Sequence, residues 1–207
     1  RLPKPGGKAG KISFNSDGYR GPKLATPKNQ KIIRIAYIGS SITFDSNSAD
    51  NDKTWPGATT LKLAEVFPTC QFEYFNAGVP GMGTNRLLEY YGSKLWQSEP
   101  DIVFIMTDDS NERLDNLAHT SGVHDGVHYQ KSWLAENSLF WAKLEKNFVI
   151  KSRIRSADSP TGKLIFTDEE LLENYKQSIR KLISAVKGNG SIPVLLSFGQ
   201  KTKENQP

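Results

Sequence analysis

Cysteine is almost missing from this sequence: Cys70 stands alone in 207 residues. One thiol excludes a disulfide framework and a cysteine-built zinc site. Histidine is nearly as scarce. His119, His124 and His128 are all there are, so histidine chemistry within the sequence has one possible source. No run of eighteen apolar residues occurs, which excludes a spanning helix within the sequence. Neither the dinucleotide fingerprint nor the P-loop spacing fits its glycines, so a nucleotide reading has little support. Acidic residues are rare at the start. Residues 1–34 carry nine Lys and Arg against Asp17 alone, in a chain whose net charge is +5 and pI about 9.2. The basic excess therefore marks an arm rather than a basic domain. Such an arm suits an anionic polymer or a partner chain, and equally a solvated extension. No specific nucleic-acid partner, cofactor or metal is expected. The sequence opens on Arg1. A removed export signal, and with it a secreted or otherwise extracytoplasmic location, is the corresponding expectation.

What is present is the pattern of one α/β domain. Residues 1–30, rich in Pro, Gly and Lys, read as an extended basic arm, with a turn-rich stretch from Asn15 to Pro22. Residues 31–207 read as the α/β domain. Lys31–Gly39 is almost continuously apolar, as a strand covered on both faces should be. Trp55–Phe67 follows as a helix, with Thr54 as N-cap and Pro56 in its first turn. Phe72–Val79 is a second strand, Thr84–Trp96 a second helix, and Asp101–Thr107 a third strand. Residues 108–130 form a polar loop holding every histidine, and 131–149 are expected to be helical. Asp168–Lys187 is a helix with Leu171, Tyr175, Ile179, Leu182 and Val186 in register. Ile192–Gly199 is a fourth strand, apolar enough to suit the interior of a sheet. Alternating strands and helices imply parallel pairing. Chemistry in such folds gathers beyond the carboxyl ends of the strands.

Three segments occupy those ends. Gly39-Ser40-Ser41 follows the first strand and presents hydroxyls that suit either a nucleophile or a helix cap. Asn76-Ala-Gly-Val-Pro-Gly81-Met-Gly follows the second. Its glycines leave backbone N–H groups open to an anion, or simply make a tight turn. Asp108-Asp-Ser-Asn111-Glu follows the third. There Asn111 offers an amide donor, while the two aspartates suit a hard cation or a solvated loop.

In this order and strand context, the three segments resemble the blocks of the SGNH hydrolase superfamily, the GDSL-type esterases and lipases. The run "PDIVFIM" resembles that family's third strand. "NSDGYRG" in the arm resembles an Asn-x-x-Gly-Phe-Arg element of extracytoplasmic members that act on polysaccharides. The resemblance covers about residues 12–200. It implies a three-layer α/β/α sandwich with a parallel, flavodoxin-like sheet. It also implies that Ser41 is the nucleophile, with its own N–H, the N–H of Gly81 and the amide of Asn111 around the oxyanion. The sequence departs from the family in two places. Ser40 stands where the family has aspartate, and a gapless alignment would put Ser110 rather than Asn111 on the block asparagine.

The family's base lies in a late Asp-x-x-His block, and residues 200–207 hold neither residue. A serine hydroxyl needs a base at neutral pH. The expectation is that the last strand, helix and base lie beyond Pro207. The alternative is Asp125-Gly-Val-His128, the single Asp-x-x-His in the sequence. The activity implied is hydrolysis of acyl esters, acetyl above all, on a small molecule or carbohydrate. An O-acetyltransferase of the same fold, and a non-catalytic carbohydrate- or partner-binding module, are the competing classes.

Overall fold

The computed structural model describes residues 5–9, 12–48, 50–107, 141 and 168–197. Its centre is a four-stranded parallel sheet built from β3 (Ile32–Gly39), β4 (Gln71–Asn76), β5 (Ile102–Met106) and β6 (Ile192–Leu196), in the order β4-β3-β5-β6. Two short strands, β1 (Lys8–Ala9) and β2 (Ile12–Ser13), form a separate antiparallel pair. The helices are α1 (Ser41–Phe44), α2 (Trp55–Val66), α3 (Thr84–Ser93) and α4 (Asp168–Gly188). One 3-10 turn, Leu95–Ser98, continues α3. The expected helix over 131–149 lies outside the described residues, Trp141 excepted.

The alternation of side chains along each strand explains the layering. In β3, Ile35 and Tyr37 point to one face, where they pack with Tyr74, Trp55, Leu63 and Phe104. Ala36 and Ile38 point to the other, with Phe75, Leu87, Tyr91, Val103, Ile105, Leu182 and Val186. The sheet thus has α2 over one face and α3 with α4 over the other, a three-layer α/β/α arrangement as expected. Both faces are dry, which is why β3 reads as an unbroken apolar run.

Boundaries differ from the sequence reading where side chains intervene. β4 ends at Asn76 rather than continuing to Val79, because Asn76 Oδ1 takes the N–H of Gly78 at 2.9 Å and turns the chain. The last strand stops at Leu196. It is the outer strand among the described residues, with Ile192 62 % and Leu195 53 % exposed. Its apolar composition suits an interior strand, and no described strand pairs with its outer side.

The arm shows the largest difference. Residues 1–30 were expected to form an extended arm with a turn-rich stretch from Asn15 to Pro22. Instead Tyr19, Arg20 and Leu24 are buried, and Tyr19 stacks on Phe75 with ring centroids 4.5 Å apart. The cause is pairing with residues distant in sequence. Asp101 receives the Arg34 N–H at 2.7 Å and the Lys28 ammonium. Glu73 receives Arg34 Nε at 2.7 Å and the Ala25 N–H at 3.1 Å. Three of the nine early cations, Arg20, Lys28 and Arg34, are therefore used inside the fold. Among the described residues no helix is long and apolar enough to cross a membrane.

Candidate active site

The carboxyl ends of β3 and β4 meet at two adjoining loops. The first, after β3, begins with buried Ser40 and exposed Ser41, the first residue of α1. The second, 77–83, runs alongside it. Ala77 N–H donates to Tyr37 O at 2.8 Å and Val79 N–H to Gly39 O at 3.0 Å, so the two loops keep the parallel register of their strands. Gly78 lies hard against α1. A Cβ there would stand 2.3 Å from Phe44 N and 2.7 Å from the Thr43 carbonyl carbon, so only glycine permits this approach. Met82 N–H closes a turn on Val79 O at 3.1 Å. At its tip Gly81 is exposed in the left-handed region, φ +76°, with nothing within 4 Å of a notional Cβ.

α1 is a single turn, far too short to persist by itself. Its stability comes from what its carbonyls meet. Ser40 O and Ser41 O accept from Phe44 N–H and Asp45 N–H, at 3.0 and 2.9 Å. Ile42 O accepts from Trp55 Nε1 at 2.9 Å. Thr43 O accepts from Asn76 Nδ2 at 2.7 Å. Phe44 O and Asp45 O both accept from Arg20 Nη1, at 2.8 and 2.6 Å. Carbonyls at a helix C-terminus have no partner within the helix; here side chains from three separate segments supply one for each. Asp45 leaves the turn at φ 54°, a conformation aspartate tolerates better than most side chains. Its carboxylate accepts from Ser48 Oγ and from Trp55 N–H.

Arg20 is 1 % exposed. Burial pulls its pKa below the ordinary arginine value, and the negative Asp45 and Asp50 nearby oppose that shift. An arginine stays protonated regardless at working pH.

Of the sequence-derived site residues, Ser41 and Gly81 lie on these adjoining loops at the strand ends. Asn111, with its competitor Ser110, and the pair Asp125 and His128 lie outside the described residues. The third segment is described as far as Thr107, whose Oγ1 lies 2.7 Å from Tyr175 Oη on α4. The residues sequence reasoning missed are Arg20, Trp55 and Asn76. For Arg20 the signal was there in "NSDGYRG", where Asn15 Oδ1 accepts from the N–H groups of Asp17 and Tyr19, both at 3.0 Å. That turn delivers Arg20 to the loop after β3. A cavity of about 240 Å³ lies elsewhere, bordered by Tyr19, Lys28, Arg34, Lys94 and Ser98 near the amino ends of β3 and β5.

No family model matches the chain, and no curated protein does. The chain is similar to solved structures of G-D-S-L-family and acetyl xylan esterase proteins. One, described as a lipolytic protein of the G-D-S-L family from Desulfitobacterium hafniense DCB-2, aligns at 15 % identity and TM-score 0.43, over 78 % of this chain and 57 % of its own. An acetyl xylan esterase from Geobacillus stearothermophilus aligns at 18 % identity and TM-score 0.38, over 80 % of this chain and 78 % of its own. A two-domain esterase active on acetylated mannans aligns at 15 % identity and TM-score 0.36, over 77 % of this chain and 50 % of its own. The chain thus spans little more than half of the first.

Proposed function

We propose that this chain carries the nucleophile of a serine esterase that removes acyl groups, acetyl in the first instance, from a carbohydrate outside the cytoplasm. The observation that supports this reading is the setting of Ser41. Its side chain is exposed at the carboxyl end of β3, on a turn whose carbonyls are all satisfied, beside the open, left-handed backbone of Gly81. A catalytic nucleophile needs this combination of an accessible hydroxyl and a rigid base. A helix cap needs neither, and Ser41 has no capping role here, since Ser40 holds the N-cap position.

In the proposed reaction Ser41 Oγ attacks the ester carbonyl. The tetrahedral oxyanion takes hydrogen bonds from the backbone N–H groups of Ser41 and Gly81 and from the Asn111 amide. The serine proton passes to a histidine and on to the leaving alcohol. Water then releases the acyl-serine. The base is assigned to His128 with Asp125 or to a residue outside this sequence. The residues named leave no step that requires a metal or cofactor.

The test is turnover of a small aryl acetate. Ser41→Ala should lower the rate by several orders of magnitude with the melting temperature unchanged. Retention of more than about a tenth of the wild-type rate, only about 1.4 kcal/mol of barrier, would remove Ser41 from the chemistry.

A further inference from the structure

The reaction proposed above leaves Arg20 without a part, although it is among the most deeply buried side chains described. Its five hydrogen bonds reach one loop only. Nη1 serves Phe44 O and Asp45 O, Nη2 serves Ser48 O and Asp50 O, and Nε serves Asn51 Oδ1 at 2.9 Å. None goes to a carboxylate. A buried cation costs several kcal/mol in desolvation unless it is well solvated by the protein. Here the solvation comes from four carbonyls, two of them the last of the turn that begins with Ser41. The same residue is tied to the neighbouring strand. Arg20 N–H donates to Asn76 O at 3.0 Å and Asn76 N–H to Arg20 O at 2.8 Å, while Asn76 Nδ2 holds Thr43 O. Asn76 is also the last residue before the loop that carries Gly81.

Taking Ser41 as the nucleophile, we propose that Arg20 is a positioning residue that fixes Ser41 relative to Gly81. It clamps the C-terminal carbonyls of α1 while its own backbone pairs with Asn76. The guanidinium's planar fork serves several carbonyls at once, which a lysine ammonium on a flexible stem does not. Arg20 touches no reacting atom. Its effect reaches the reaction through the placement of the Ser41 hydroxyl, where about 1 Å of error is worth roughly a hundredfold in rate.

Two variants of the full chain test the clamp. Arg20→Lys keeps the charge and loses the fork. Trp55→Phe keeps an aromatic ring edge-on to Tyr37, now 5.2 Å between centroids, and loses only the indole donor to Ile42 O. Each is assayed for kcat and KM on an aryl acetate, and for amide hydrogen exchange in 40–48 against β3. The expected result for Arg20→Lys is a kcat lowered at least about tenfold, with KM within about twofold and faster exchange confined to 40–48. Trp55→Phe should show the same pattern, weaker. Unchanged kcat in both variants would overturn the proposal. So would exchange rising equally in β3, which makes Arg20 a general stabiliser. A wild-type chain without Ser41-dependent turnover would overturn the esterase reading instead. Loosening confined to 40–48 would still support the clamp in that case, and its absence would refute it.

Discussion

Gly78→Ala probes the contact on which the site geometry rests. The added Cβ would sit 2.3 Å from Phe44 N, whereas ordinary contact begins near 3.4 Å. The two loops must therefore separate by about 1 Å, and the obstructing atoms are backbone, which cannot rotate aside. Overpacking of this kind costs about 1–3 kcal/mol. The separation also stretches the Val79–Gly39 and Asn76–Thr43 hydrogen bonds, each worth about 1 kcal/mol net. A total of about 3–5 kcal/mol corresponds to a melting temperature lower by about 6–20 °C in a domain of this size. Turnover of an aryl acetate should fall roughly a hundredfold, since Ser41 and Gly81 move apart by that same 1 Å. Gly81→Ala is the control for stability alone. It meets no atom within 4 Å and bears only the left-handed φ, about 1–2 kcal/mol. Scanning calorimetry on both variants, and initial rates on Gly78→Ala, read the two effects. A Gly78→Ala protein melting within about 2 °C of wild type and turning over within threefold of it would refute the close approach of the loops.

Other consequences are smaller and independent. Gly92→Ala, in the last turn of α3 with nothing near its notional Cβ, should stabilise the fold by at most about 0.5 kcal/mol, read as a small rise in urea midpoint. Thr54→Ala removes the N-cap that accepts from Gly57 N–H at 3.2 Å and should cost about 1 kcal/mol, while Thr54→Ser should be nearly neutral. Alkaline stability should fall from about pH 10. Burial pushes the Tyr37 hydroxyl from 10.0 up to about 12, so the unfolded chain gives up this proton first. The contribution is whole below pH 10 and is lost by about pH 12, on the order of 2–3 kcal/mol at most. Tyr74 and Tyr90 are raised in the same direction, chiefly by burial. Tyr37→Phe should flatten the decline in urea midpoint between pH 10 and 12, and an unchanged slope would contradict its burial as a neutral phenol.

The sheet was legible in the sequence because each of its inner strands is buried on both faces. Ile35 and Tyr37 belong to one core and Ala36 and Ile38 to the other, and that arrangement leaves an apolar run no helix face would produce. The helices were legible from their caps and period, Thr54 and the Leu171–Val186 stripe above all. The arm was not. Its Pro, Gly and Lys content describes a solvated chain, and what buries it is the pairing of Lys28 and Arg34 with Asp101 and Glu73, partners that sequence spacing cannot announce. Ser41 and Gly81 were picked out by the resemblance of their blocks in order and strand context, because a serine or glycine after a strand is by itself an ordinary cap or turn residue. Arg20 and Asn76 stood inside quoted motifs but their roles did not show, and Trp55 read only as a helix start, because a side chain donating to a distant carbonyl leaves no period and requires no particular neighbour.

The central claim is that Ser41 is the nucleophile, and covalent capture tests it most directly. The full chain is treated with a serine-reactive organophosphonate, and the intact mass and the peptide map are recorded for the wild type and for Ser41→Ala. The expected result is one adduct per chain, located on Ser41 among the several serines and threonines of the same loop, and no adduct in Ser41→Ala. An adduct on Ser40, Ser46 or Ser48, or equal labelling of wild type and variant, would contradict it.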